Sequence, residues 1–159
     1  MKPIRLLISA ITLATTVVPV LAAQPAYLDD RSTAASLVRS FYNAVDRQEY
    51  ARAYTYFGDN PPQPYASFAN GYASTAFVTV ATGAAVSDGA AGSIYYTLPV
   101  AIDAQQSNGT HKQFAGCYVT RLVQPTIQDP PVQPMFIYKA TLNVAHGNIR
   151  TLLPNCDAM

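Results

Sequence analysis

Leu37, Val38, Phe41, Tyr42 and Val45 recur at helical spacing and predict an amphipathic helix. Ser32 is its expected cap, with Asp29 and Asp30 placing negative charge beside the positive helix end. A second short helix is expected over Glu49–Phe57, where Tyr50, Ala53, Tyr54 and Phe57 share a side. Gly58-Asp59-Asn60-Pro61-Pro62 stops it, because proline cannot continue a helix and restricts its predecessor. A third runs from Pro64 to Tyr72, with Tyr65, Phe68 and Tyr72 aligned. From Thr75 the period shifts toward two. Phe77–Thr82 reads as a β-branched strand, and Ser87-Asp88-Gly89 with Gly92 as a turn region. Ile94, Tyr96, Leu98, Val100 and Ile102 then alternate with Tyr95, Thr97, Pro99, Ala101 and Asp103, which predicts a half-buried strand with the first set inward. Pro99 has no ladder donor, so its amide position is expected at solvent or a bulge. Gln113–Val123 and Phe136–Val144 complete the strands, separated by a loop with four prolines between Pro125 and Pro134. Helices first and strands second predict an α+β domain of three helices on a four-stranded antiparallel sheet.

The turn between the second and third strands sets what faces inward. Asn108-Gly109 favours a type I′ turn, whose two central residues need positive φ. A two-residue turn pairs Tyr96 with Arg121 on the inner face, where a buried guanidinium would mark an anion or carboxylate site. A three-residue loop slips the register, turns Arg121 and Cys117 outward, and brings Tyr118, Thr120 and Leu122 inward. Both registers stay open at the level of sequence. Asn108-Gly109-Thr110 is also a glycosylation sequon, which the turn explains equally well, and the Pro131–Pro134 PxxP pattern reads as a rigid connecting loop.

Several pieces resemble the NTF2-like (SnoaL-like, cystatin-like) superfamily. They are Ser40-Phe41-Tyr42-Asn43-Ala44-Val45-Asp46, Ser67-Phe68-Ala69-Asn70-Gly71-Tyr72, Phe114-Ala115-Gly116-Cys117-Tyr118 and Ile137-Tyr138-Lys139-Ala140, within residues 32–145. The resemblance implies a cone with a curved sheet and a pocket between helices and sheet, and a homodimer through the sheet. It spans isomerases, dehydratases, transport factors and non-catalytic domains, so it selects no activity by itself.

The first residues carry an address. Lys2 and Arg5 precede an apolar run from Leu6 to Val20, and Val20-Leu21-Ala22 supplies small residues for cleavage after Ala22 or Ala23. The expected layout is a signal peptide at 1–22, an N-terminal extension at 23–31, and one domain with a C-terminal tail at 32–159. Such a chain is exported, to the periplasm or beyond the cell, with no membrane association once the signal is gone. Cleavage removes two of ten Lys+Arg and no acid, so eight basic groups face nine acidic ones and the formal charge moves from +1 to −1. A chain so close to neutral lacks the basic stripe that nucleic-acid binding requires. Its 50% apolar content is far above that of disordered chains. Cys117 and Cys156 are both in the mature part, and an even count in an exported protein predicts a disulfide.

No phosphate-binding loop, HExxH or GxSxG occurs, and His111 and His146 have no ligand cluster around them. No metal and no cofactor is therefore expected. Asp103 and His111 are the acid–base candidates nearest a pocket, but the alternation turns Asp103 outward and His111 lies near the hairpin tip. Asp46, closing the first helix, reads as a surface or capping residue. No catalytic residue is assigned. Eleven tyrosines without a tryptophan are the remaining signal. Tyr42, Tyr54, Tyr72, Tyr96 and Tyr138, with Arg121, are the candidate ligand-pocket residues, since buried hydroxyls need partners that a bound molecule can supply. Ordinary packing with hydroxyls at the rim explains the tyrosines too. The expected function is a non-catalytic exported domain that binds a small amphipathic ligand or a protein partner. The alternatives are an isomerase- or dehydratase-type enzyme pairing a Tyr with an Asp or His, and an envelope or toxin-neutralising interaction protein.

Overall fold

A computed structural model describes residues 24–59 and 61–157. The signal segment expected at 1–22 lies outside them, as does Asn60. The chain is α+β: three helices, α1 (Ala34–Asp46), α2 (Tyr50–Thr55) and α3 (Tyr65–Gly71), precede five strands. These are β1 (Thr75–Thr82), β2 (Val86–Ala90), β3 (Ser93–Gln106), β4 (His111–Val123) and β5 (Phe136–Ala145). All pairings are antiparallel, in the order β1-β3-β4-β5, with β2 also on β3.

The helical periodicity describes α1 well. Leu37, Val38, Phe41, Tyr42 and Val45 are all buried, and the helix packs across β1 and β3. Its cap is Thr33 rather than Ser32: the Thr33 hydroxyl accepts the Ser36 N–H at 3.0 Å. Ser32 lies one residue before the cap and donates its own N–H to Asp30 Oδ1. Phe41 is the hub of the core, with the rings of Tyr42, Tyr56, Phe57, Phe68 and Tyr72 set around it at centroid distances of 4.7 to 6.4 Å.

The segment before α1 is tied to the helices. Pro25 and Ala26 carbonyls accept from Arg47 and Asn43, Leu28 pairs with Asn43 and Arg52, and the Tyr27 ring lies under the Arg52 guanidinium at 4.5 Å. Glu49 holds both Arg47 and Arg52 at 2.7 and 2.6 Å, so the cations of this strap are paired at their root.

The sheet has five strands, not four. Ser87-Asp88-Gly89 is not a turn but the middle of β2, whose residues are all exposed. β1 ends opposite Val100 and β2 begins opposite Thr97, so one edge of β3 is shared by two short strands. Pro99 falls at the gap between them, where no edge partner needs its missing amide, and its carbonyl accepts from Gly83 N at 2.9 Å. The turn joining β2 to β3 is Ala91-Gly92, with φ of 47° and 73°, the two positive values that a type I′ turn needs.

That conformation was expected at Asn108-Gly109, and the structure moves it. The β3–β4 connection is a three-residue loop, Ser107-Asn108-Gly109, with positive φ at Gly109 only. Gln106 N donates to Thr110 O at 2.7 Å, and the Asn108 side chain accepts from both Thr110 N and Thr110 Oγ1. An Asn side chain that closes its own turn removes the need for a second left-handed residue. The slipped register follows: Tyr95 pairs with Arg121, Tyr96 with Thr120, Leu98 with Tyr118 and Pro99 with Cys117. Leu98, Val100, Ile102 and Tyr118 thus face the helices, while Arg121 and Cys117 lie on the opposite face.

On that opposite face the C-terminal tail returns. Cys117 and Cys156 form a disulfide with Cα atoms 6.0 Å apart, and Gly147 N donates to Gln113 Oε1 at 2.9 Å. A disulfide is consistent with an oxidising, exported location. Among the described residues, no helix is long and apolar enough to cross a membrane.

Candidate functional site

Between the helices and the inner sheet face is a cavity of about 740 Å³. Its floor is made of buried side chains from every layer: Tyr42 of α1, Phe57 after α2, Phe68 of α3, Val78 of β1, Ile102 of β3 and Tyr118 of β4. Pro62, Gln63, Lys112 and Lys139 are exposed and form part of its rim. The hollow exists because the helices covering the sheet are short. α2 stops at Thr55, Gly58 turns the chain at φ +58°, and the Pro61-Pro62 loop bridges to α3 without filling the space below it. Cavities of several hundred Å³ with apolar floors and a few fixed polar groups are the usual form of small-molecule sites.

The polar groups inside are tyrosines. The Tyr42 and Tyr118 hydroxyls lie 2.6 Å apart in a fully buried bond. Whichever donates, the other proton of the pair has no acceptor among the described residues, and both tyrosines line the cavity. The Tyr72 hydroxyl also lines the cavity, and burial pushes it up to about 12. Burial holds Tyr42 and Tyr118 well above the ordinary phenol value; Tyr72 adds to it in both, while the bond with Tyr42 pulls Tyr118 partly back. All three are neutral donors and acceptors at physiological pH, suited to holding a carbonyl or hydroxyl rather than to taking up a proton. Gln106 adds a buried amide to the wall, fixed by Ser74 Oγ at 3.0 Å.

The candidate residues divide. Tyr42, Tyr72 and Tyr138 line this cavity. Tyr138 is the extra residue of a bulge in β5, stands at the rim, and meets the Tyr95 ring edge-on at 5.4 Å. Tyr54 does not line it; its hydroxyl donates to Gln63 O at 2.9 Å, and its ring packs on Phe68 and Tyr65, so it braces the wall from behind. Tyr96 lines a separate hollow of about 300 Å³ beside Thr33 and Met135. Arg121 lines neither: it donates to Ser93 Oγ at 3.0 Å and stands over the Tyr95 ring on the outer face, so the anion site that the two-residue turn implied does not form. Tyr118 belongs to the inner face only in the slipped register, and Lys112, Gln106 and Lys139 carry no periodic signal that marks them as lining residues.

None of the three acid–base candidates lines the cavity. Asp103 is on the outer face, 2.7 Å from His111 Nδ1 and accepting from Gln113 Nε2 at 3.0 Å. Asp46, at the C-terminal end of α1, accepts the Val78 N–H at 2.8 Å and thereby ties the helix to β1. Burial pushes Asp46 up to about 7, against the opposing pull of that bond. The folded chain therefore keeps a proton that the unfolded chain releases near 3.8. Its contribution to stability is complete below about pH 4 and is lost as the pH rises to about 7. Asp46→Asn keeps the acceptor for Val78 and removes the titration. It is expected to flatten the fall of Tm between these two pH values; an unchanged slope in a thermal-melt series would contradict the assignment.

Comparison with protein-family models, with curated proteins and with solved structures finds no match for this chain. Its function is argued from the site alone.

Proposed function

We propose that this chain is an exported NTF2-like domain that binds a small amphipathic ligand in the hollow between its helices and its sheet. The observation that carries the reading is the cavity itself: about 740 Å³ that the protein's own side chains leave unfilled, apolar below and supplied with an uncommitted hydroxyl proton at the Tyr42–Tyr118 pair. The hollow is open to solvent on one side, so its apolar floor stays in contact with water until a molecule with an apolar part covers it. Of the alternatives, an isomerase or dehydratase would place Asp46, Asp103 or His111 against the tyrosines, and these three lie elsewhere. An interaction protein using the outer sheet face, or a homodimer through that face, would have to form around the tail that the Cys117–Cys156 bridge pins there.

The test is titration of the purified protein with an uncharged, environment-sensitive naphthalene dye. Emission is expected to rise and to saturate at one dye per chain. Ala140, exposed on β5, lines the hollow, so Ala140→Trp narrows it without touching the buried core. That variant is expected to melt like the wild type and to bind at least about tenfold more weakly, about 1.4 kcal/mol. Undiminished dye binding by Ala140→Trp would remove the cavity as the binding site.

A further inference from the structure

The hollow has a charge character of its own. Its charged lining residues are Lys112 and Lys139, and among the described residues no Asp, Glu, His or Arg lines it. Neither lysine forms an ion pair among the described residues. The nearby acids are committed elsewhere: Asp46 to Val78 N, Asp59 to the Gln133 amide, and Asp103 to His111 and Gln113 on the other face. Of the cations near the helices, Arg31 is on Asp29, Arg47 and Arg52 are on Glu49, and Arg39 donates to Thr82 Oγ1 at 2.8 Å. One uncompensated inward-facing cation, Lys112 opposite Ala104, therefore borders an apolar floor. Low-dielectric walls strengthen the field such groups exert inside a cleft.

Their placement also bears on shape. Lys112 is opposite Ala104, next to the β3–β4 hairpin, whereas Lys139 is opposite Val119. Seven β4 positions separate the two, an odd number, and side chains alternate along a strand, so Lys112 is on the inner face with Ala104 while Lys139 shares the outer face with Cys117. The hollow is thus a trough with a cation toward its hairpin end and Phe114, Tyr118 and Leu142 among its lining beyond it. An ion without an apolar part would leave that floor wet, and an uncharged apolar molecule would leave Lys112 without a partner.

We propose that the trough takes amphipathic anions: molecules with an apolar chain and one carboxylate-type head, the head held by Lys112 at the hairpin end and the chain laid along the floor. This rests on the binding reading above and adds to it the sign of the ligand's charge.

Matched amphiphiles test it. Dodecanoate, dodecanol and dodecyltrimethylammonium, each below its micelle concentration, are titrated into the full mature chain by calorimetry at low salt. Dodecanoate is expected to bind about fivefold to tenfold more tightly than dodecanol, with the cation weakest, and the preference to shrink as salt is added. In a Lys112→Met variant the anion and the alcohol are expected to bind alike, whereas Lys139→Met, on the other face, is expected to keep the preference. Both side chains are exposed, so the melting temperature should hold and confirm that the variants are folded. Equal affinity for acid and alcohol in the wild type, or a preference that survives in Lys112→Met, overturns the anion proposal and leaves the binding reading standing. Binding of none of the three overturns both.

Discussion

Removing the Cys117–Cys156 bridge is expected to lower the unfolding free energy by about 4 kcal/mol, the largest effect of any small change to this chain. The two cysteines are 39 residues apart, and closing a loop of that length removes much of the conformational freedom of the unfolded chain. The enclosed stretch contains the four-proline loop and all of β5, so the bridge also limits how far the edge strand separates from β4 in partly opened states. Against the 5–15 kcal/mol typical of whole domains, such a loss decides whether the protein is folded at body temperature. A Cys117→Ala, Cys156→Ala double variant should show the loss in urea titrations, and reductant should weaken the wild type and leave the variant unaffected. A difference below about 1 kcal/mol would show that the tail's other contacts, such as Gly147 N to Gln113, already hold it in place. The bridge and the cavity lie on opposite faces of the sheet. Dye affinity per folded molecule is therefore expected to survive reduction, which separates a stabilising role from a role in binding.

What was legible in the residues, and what was not, follows from the range of each interaction. α1 is legible because five apolar positions at helical spacing are a local property, and β3 because its alternation runs through ten residues. The cap is Thr33 and not Ser32 because the helical backbone begins at Ala34, a boundary that two adjacent hydroxyl residues leave open by one position. β2 was illegible for a different reason. Ser87-Asp88-Gly89 has turn chemistry, and it is a strand only because β1 leaves the edge of β3 beyond Val100 unpaired, a vacancy that only the sheet creates. The β3–β4 register turned on one loop residue. Asn-Gly suits a two-residue turn, yet the Asn108 side chain closes a three-residue one with Thr110, and that single step sends Arg121 and Cys117 outward and Tyr118 inward. Half of the tyrosine-and-arginine set therefore reached the cavity. Tyr42 and Tyr72 did so from helices whose faces were readable. Tyr96 and Arg121 did not, because their destination depended on register and on where the helices end along the strands. Lys112 was invisible: it is an exposed residue in a polar context, and only the slipped register brings it to the end of the apolar floor.

Gly116→Ala is the other substitution with a large expected cost, about 3 kcal/mol. Gly116 is in the middle of β4, opposite Val100 on one side and Leu142 on the other, and its backbone is not in a left-handed conformation. The constraint is space. A Cβ at this position would fall onto the Thr141 carbonyl oxygen, with Thr141 C and Leu142 Cα both at 2.9 Å. These are backbone atoms of the neighbouring strand, so no rotamer change relieves the overlap. β5 must shift outward or lose part of its ladder to β4, at the point where the disulfide sulfur of Cys156 is beside the Gly116 carbonyl. Gly71→Ala is the matched control. It closes α3 at a conventional φ with nothing within 4 Å of the added methyl, so it is expected to be neutral or to gain a few tenths of a kcal/mol from the smaller entropy of its unfolded chain. Urea midpoints for both variants test the pair: a Gly116→Ala protein as stable as the wild type would mean that β4 and β5 do not approach as closely as the register requires.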